Sequence, residues 1–352
     1  MDPFEPPPAS HPDLAEAVPR LARASVLVVG DAMLDRYVHG RVERISPEAP
    51  VPVLGVEREI VQPGGAANVV RNLTALGAAV AFVSVVGDDQ TGSDLTGLIG
   101  GQPGVEPWLL VQGGRTTTRK TRFLAHGRHL LRADREQTDP IEPRLALRLL
   151  RIAGDAMAAT SATVLSDYGK GVLAGETAAK LVAAARGMGR RVLVDPSSAD
   201  CGRFAGADLI LPTARELAAA TGLPSETDDE IARAAQDLAA RHRFGAVMVL
   251  RSEIGISLIG PQLARHWRLP EDERLDLFGV TDAVLATLAA ALASGVGLAE
   301  AGALAALAAE IVARHPGTAV ARPDDLLARL AVAPLEPHPS ETPGPPRESP
   351  PL

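Results

Sequence analysis

Ser25-Val26-Leu27-Val28-Val29-Gly30-Asp31 reads as a short buried β-strand that stops on a glycine and a carboxylate. The same figure recurs down the chain. Val80-Ala81-Phe82-Val83-Ser84-Val85-Val86 runs into Gly87-Asp88-Asp89, Thr163-Val164-Leu165 into Ser166-Asp167, and Arg191-Val192-Leu193-Val194 into Asp195-Pro196. Asp208-Leu209-Ile210 and Ala246-Val247-Met248-Val249-Leu250 add two more runs, and amphipathic helical stretches separate them all. This alternation predicts an α/β fold with a central, mostly parallel sheet flanked by helices. Ligands of such sheets bind beyond the carboxyl ends of the strands, where the glycines and acids collect here.

Two segments break the alternation. Residues 37–60 and 116–132 are strand-like with no helix following, and are expected to form antiparallel strands beside the main sheet, as a small β lid over a cleft. Residues 1–21, rich in Pro and Ala, and 334–352, rich in Pro, Glu and Ser, are expected to be disordered tails around one domain at 22–333. Ala283 to Ala313 is almost wholly apolar, but Ser294-Gly295-Val296-Gly297 interrupts it and Glu300 and Glu310 punctuate it, so two buried helices are expected instead of a membrane span.

The 352 residues are 46% apolar and 22% charged, enough for a full core. A net charge of −8 without a basic run excludes nucleic-acid and anionic-membrane binders and leaves a small-molecule partner. The single cysteine, Cys201, and a start without a basic or apolar leader point to the cytoplasm. The eight histidines, His126 and His129 among them, have no metal-ligand spacing, so no metal cluster is expected.

Gly64-Gly65-Ala66-Ala67-Asn68 stands before a helical pattern, where free N–H groups and an amide can meet hydroxyls. A plain glycine turn would look the same. Three longer strings accompany it: Gly30-Asp31-Ala32-Met33-Leu34-Asp35-Arg36-Tyr37, Arg44-Ile45-Ser46-Pro47-Glu48-Ala49-Pro50-Val51-Pro52-Val53, and Leu165-Ser166-Asp167-Tyr168-Gly169-Lys170-Gly171. Together, over residues 25–330, the chain resembles the heptose 7-phosphate kinase modules of the ribokinase-like (PfkB) family.

That resemblance implies a kinase using ATP and Mg²⁺, acting on the anomeric hydroxyl of D-glycero-D-manno-heptose 7-phosphate or a close sugar phosphate, toward ADP-heptose for the lipopolysaccharide core. It implies sugar contacts from Asp35, Gly64, Gly65 and Asn68, and cations for the sugar phosphate from Arg44, Lys120, Arg122 and Lys170, with Asp167 nearby. A solvated surface charge explains any one basic residue equally, and a strand-end turn explains Asp167 and Tyr168. The catalytic string resembles Asp276-Leu277-Phe278-Gly279-Val280-Thr281-Asp282-Ala283, with Asp282 as base and Gly279 and Thr281 around the transferring phosphoryl group. An N-capping role is the plain alternative for Asp282. Asp195, Thr213, Glu216, Arg251 and Gly255 are implied on the nucleotide side, Glu216 organising Mg²⁺ through water.

Several positions depart from the family pattern. Thr281 replaces a glycine, at a strain of about 1–3 kcal/mol if its φ were positive. Thr213 replaces an Asn, Ser197 a Lys, and Ala306 an Asn beside the adenine. Two further readings therefore stay open: a weakened or inactive homologue that binds sugar phosphate in a regulatory role, and a kinase for another sugar such as fructose 6-phosphate or ribose. No His-x-Gly-His string follows residue 333, so nucleotidyl transfer is expected of another protein. Open lid edges lead to the expectation of a homodimer.

Overall fold

The computed structural model describes residues 12–126, 128–270, 275–315 and 317–332. Its strands are β1 (Ser25–Gly30), β2 (Ala32–Ile45), β3 (Pro52–Gly65), β4 (Ala79–Gly87), β5 (Val105–Gln112), β6 (Arg119–Ala125) and β7 (Arg128–Arg135). They continue as β8 (Ala162–Ser166), β9 (Arg191–Asp195), β10 (Leu209–Ile210), β11 (Ala246–Leu250), β12 (Gly255–Gly260) and β13 (Leu263–Arg268). The helices are α1 (Pro12–Ala17), α2 (Ala66–Ala75), α3 (Gln90–Gly100), α4 (Pro143–Ala159) and α5 (Thr177–Gly187). After them come α6 (Ala214–Thr221), α7 (Asp228–His242), α8 (Val280–Ala293), α9 (Leu298–Ala313) and α10 (Pro323–Val332).

Among the described residues the large sheet has nine strands in the order β13-β12-β11-β10-β9-β8-β1-β4-β5. Pairing is parallel from β11 through to β5, and antiparallel where β12 and β13 extend one edge. From β1 the chain winds first to β4 on one side and later to β8 on the other. The carboxyl end of β1 is therefore the switch point at which a cleft opens. One apolar layer, with Phe82, Leu73, Leu285 and Leu307, lies under α2, α8 and α9; a second, with Leu149, Leu181, Phe204 and Leu238, lies under α4, α5 and α7. The apolar run after residue 280 forms α8 and α9 as two buried helices, and no described helix is long and apolar enough to cross a membrane.

The smaller sheet has the order β3-β2-β6-β7. It is mixed: β2 pairs antiparallel with β3, and β6 with β7, but β2 and β6 run parallel. Two hairpins were readable from alternation, whereas the parallel seam arises because the chain crosses α2, β4, α3 and β5 before returning to β2's side, a connection long enough to reverse its direction. The lid also begins earlier than expected, at Ala32, and β7 ends later, at Arg135.

The N-terminal tail expected over 1–21 needs correction. Residues 12–17 form α1 and Val18–Arg23 a 3-10 turn, with Leu14, Val18 and Leu21 buried and Arg20 donating to the Ser294 and Gly295 carbonyls. The spacing of Leu14, Val18 and Leu21 makes one apolar stripe, and burying it outweighs the Pro-Ala bias of the segment. The rest of both expected tails, 1–11 and 333–352, lies outside the described residues.

Asp31, just past β1, is buried and accepts backbone N–H bonds from Tyr168 (2.8 Å), Lys170 (2.9 Å) and Val172 (3.0 Å). It thereby pins the loop after β8 across the switch point. Removing the carboxylate leaves three donors without their acceptor, at about 1–3 kcal/mol for each that stays dry. Asp31→Ala is expected to lose about 2–4 kcal/mol of unfolding free energy in urea titration; a loss under half a kcal/mol would mean that the loop holds itself.

Candidate active site

The segment just before α8 is fastened through Asp276. Asp276 accepts from the backbone N–H of Phe278 (3.0 Å) and Gly317 (2.8 Å), while its own N–H reaches the Ala313 carbonyl. The chain then turns into α8 through Gly279 at φ 76°, a conformation that strains any residue with a Cβ. A Cβ there would also lie 3.1 Å from the Asn68 amide nitrogen. Asp282 follows in the first turn of α8. Thr281 is helical and not among the residues with positive φ, so the strain conceivable for it does not arise.

Asp282 is buried, and both of its oxygens are engaged. Asn68, in the first turn of α2, donates its Nδ2 to Oδ2 at 2.7 Å, and the Tyr168 hydroxyl donates to Oδ1 at 2.7 Å. Burial pushes the carboxyl up to about 6, against the pull of these two hydrogen bonds; Asp35 raises it further and Arg71 lowers it. At neutral pH it is ionised, yet basic enough to take a proton.

Asp35 leaves β2 next to Gly64, where a Cβ would stand 2.1 Å from the carboxylate; only glycine permits this approach. Asp35 forms a buried ion pair with Arg122, whose guanidinium lies 5.2 Å from the Tyr37 ring centroid and 5.0 Å from that of Phe278. Lys120 faces Asp134 at 3.7 Å, Lys170 faces Glu136 at 2.9 Å, and Asp167 is paired with Arg203 while accepting from the Gly169 N–H. The cations expected at a sugar phosphate thus already hold carboxylates of the protein. Partly buried charges require such partners. Arg44 is exposed and nine residues beyond Asp35 on β2, roughly 30 Å along an extended strand; the structure does not bring it to Asp282.

Between the inner face of the lid and the segments 275–278 and 317–319 lies a cavity of about 660 Å³, reached by Tyr37, His39, Arg58, Gln62 and His129. Its wall at Tyr37 and Phe278 is the one that clasps Arg122. It therefore adjoins the Asp35 and Asp282 cluster.

On the other side, Asp195 ends β9. Burial, with Asp282 and Glu216 close by, holds its carboxyl well above the usual range. Thr213 caps α6 and exchanges hydrogen bonds with Glu216, whose Oε2 takes both the N–H and the hydroxyl of Thr213. Ser197 is exposed beside Gly169, and Ala306 is buried in the apolar layer under α9. Arg251 and Gly255 belong to a different cluster: Arg251 pairs with Asp228 and with the Glu226 carbonyl, and its N–H closes a turn on Gly255.

Two participants had no role assigned from sequence. Tyr168 was read as part of a turn, and Arg71 was not singled out. Arg71 donates to the Asn68 Oδ1 at 2.9 Å, and its spacing of three residues on α2 places it on the same helix face.

The sequence pattern described as pfkB family carbohydrate kinase matches residues 23–325. The chain is 60% identical over 315 residues to the "Bifunctional protein HldE" of Acidiphilium cryptum (strain JF-5), covering 90% of this chain and 65% of that protein. The chain thus spans about two thirds of the length of that relative. Among solved structures, phosphofructokinase-2 from Escherichia coli with substrates and products superposes with a TM-score of 0.72 at 19% identity, covering 88% of this chain and 99% of that one. Arabidopsis thaliana ribokinase with ribose and ATP gives 0.67 at 19%, covering 87% and 98%.

The raised carboxyl of Asp282 has a consequence for stability. A carboxyl titrating near 6 in the folded chain and near 3.8 when unfolded favours folding while protonated; that contribution is complete below the unfolded value and lost as pH rises through the folded one. Two pH units correspond to about 3 kcal/mol. Asp282→Asn is therefore expected to be more stable than the parent by about 1–3 kcal/mol at pH 8, with the gain vanishing near pH 4, by denaturant titration at both pH values. A variant less stable at pH 8 would contradict the burial argument.

Proposed function

The chain belongs to the pfkB family of carbohydrate kinases, and from that premise we propose that it transfers the γ-phosphoryl group of ATP to the anomeric hydroxyl of D-glycero-D-manno-heptose 7-phosphate or a close sugar phosphate. The observation that carries this reading is the buried Asp282 carboxylate, held on both oxygens at the opening of α8. The names of relatives such as the HldE protein support the heptose assignment.

In this reading residues 22–333 act as one kinase domain. The sugar phosphate lies between the lid and the carboxyl ends of β1 and β8, its hydroxyls on Asp35 and Asn68, its phosphorylated end toward the lid cavity. The anomeric hydroxyl gives its proton to Asp282 as its oxygen bonds to the γ-phosphorus, and ADP leaves on the opposite side. The free N–H groups of the first turn of α8, with the Thr281 hydroxyl, face the charge that develops on the transferring group. Asp195 and Glu216, carboxylates with no ion pair among the described residues, are the side chains that would hold a Mg²⁺ ion, which would supply positive charge to the donor phosphates. Lid closure keeps water from the phosphoryl group. Pairing of two copies through the lid is supported by its exposed Val56 and Leu131, and the setting we infer is the cytoplasm.

One observation favours a second reading, a sugar-phosphate binder with little transfer. Ser197 offers no cation to the donor, and neighbouring Lys170 is paired with Glu136. Under that reading sugar phosphate binds and Mg·ATP hardly does.

ADP release from Mg·ATP with a panel of heptose and hexose phosphates separates the two. The expected result is turnover with the heptose 7-phosphate, cut by about 10²–10⁴-fold in Asp282→Asn with sugar-phosphate affinity nearly unchanged. A folded protein that binds the sugar phosphate but releases no ADP with any of them would defeat the kinase reading.

A further inference from the structure

We propose that Arg71 is a positioning residue for the transfer: its guanidinium sets the amide of Asn68 so that the NH2, and not the carbonyl oxygen, faces Asp282. An asparagine amide has nearly the same shape either way round, so its orientation is decided by its neighbours. Arginine carries five donors and no acceptor. Whichever end of Asn68 meets Arg71 must be oxygen, and the structure has that bond at 2.9 Å. The NH2 is then left for the Asp282 carboxylate at 2.7 Å. The reverse orientation would set an oxygen against the carboxylate and an NH2 against the guanidinium, losing both bonds.

Arg71 is itself held from two elements besides its own helix. Its Nη1 also reaches Gln62 of the lid strand β3 (3.4 Å) and the carbonyl and hydroxyl of Thr318 (3.3 and 3.4 Å), while the Thr318 hydroxyl donates to Gln62. The lid strand, the segment between α9 and α10, and α2 thus converge on the group that orients Asn68. When the lid is in place, so is the amide that steadies the base.

Four charged or titratable side chains bear on Asp282: Asp35 from β2, Arg71 from α2, Tyr168 from the loop after β8 and Asp195 from β9. Arg71 is the cation among them; burial lowers its pKa, but the guanidinium stays protonated. Without it the amide is free to turn and the carboxylate loses both a donor and a nearby positive charge. Both losses raise its pKa.

This inference rests on Asp282 being the base, and its test has one arm independent of turnover. The protein is labelled with ¹³C at the aspartate carboxyls, and the Asp282 signal is identified by its disappearance in Asp282→Asn. In Arg71→Met the titration midpoint of that signal is expected to rise by about one pH unit. The acid limb of kcat/KM is expected to move by the same amount, with kcat about tenfold lower at neutral pH and KM for the sugar phosphate little changed. Arg71→Lys, which keeps a cationic donor, is expected to restore part of both. If Arg71→Met does not fold, Arg71→Gln is read by the same criteria. A midpoint identical to the parent's in the neutral variants overturns the proposal whether or not the protein turns over. A shifted midpoint in a protein with no turnover keeps the positioning role and discards the kinase reading instead.

Discussion

A charged carboxylate sealed from water at the mouth of a buried helix is the constraint around which this molecule is arranged. Burial disfavours the charge of Asp282; Asn68 and Tyr168 oppose that with a hydrogen bond each, and each donor comes from a different part of the fold. Asn68 opens α2, directly after the lid strand β3, and Tyr168 hangs on the loop that Asp31 fastens to the end of β1. The switch point of the sheet, the junction of lid strand β3 with α2 and the first turn of α8 therefore meet at one side chain. The penalty that burial places on the charged form raises the Asp282 carboxyl, and the proposed role as base draws on that.

The two sides of this centre are built differently. Toward the lid, charges are balanced by neighbours: Asp35 with Arg122, Lys120 with Asp134, Lys170 with Glu136. Toward β9 the balance is negative, with burial and then the nearby Asp282 and Glu216 disfavouring the ionisation of Asp195. The first arrangement suits hydroxyls and an exchangeable phosphate contact, in which a ligand anion competes with a protein carboxylate for the same cation. The second suits an incoming cation that accompanies donor phosphates.

Much of the fold was legible because it follows from local pattern. Short apolar runs ending on Gly or Asp became β1, β4, β8 and β9, and the Ala-rich run split at Ser294 to Gly297 as its composition implied. Asn68 and Asp282 were legible because each lies in a contiguous string at a helix opening. Their bond to one another, across 214 residues, was not. Nor was the fate of the cations. Arg122 meets Asp35 only because β2 and β6 align side by side, a register that no stretch of either strand announces. The same is true of the segment 12–23, whose Leu14, Val18 and Leu21 matter only when α8 and α9 are there to receive them. Arg251 follows β11 as read, but its ion pair with Asp228 at the start of α7 was not legible from either segment.

The central claim is that a sugar hydroxyl comes to Asp282, and a crystal structure of the protein with the heptose 7-phosphate and a non-transferable ATP analogue tests it most directly. The account predicts the anomeric oxygen within hydrogen-bonding reach of the Asp282 carboxylate, about 2.6–3.2 Å, in line with the γ-phosphorus of the analogue. A sugar phosphate seated with its hydroxyls turned away from Asp282, or bound on the outer face of the lid, would contradict it.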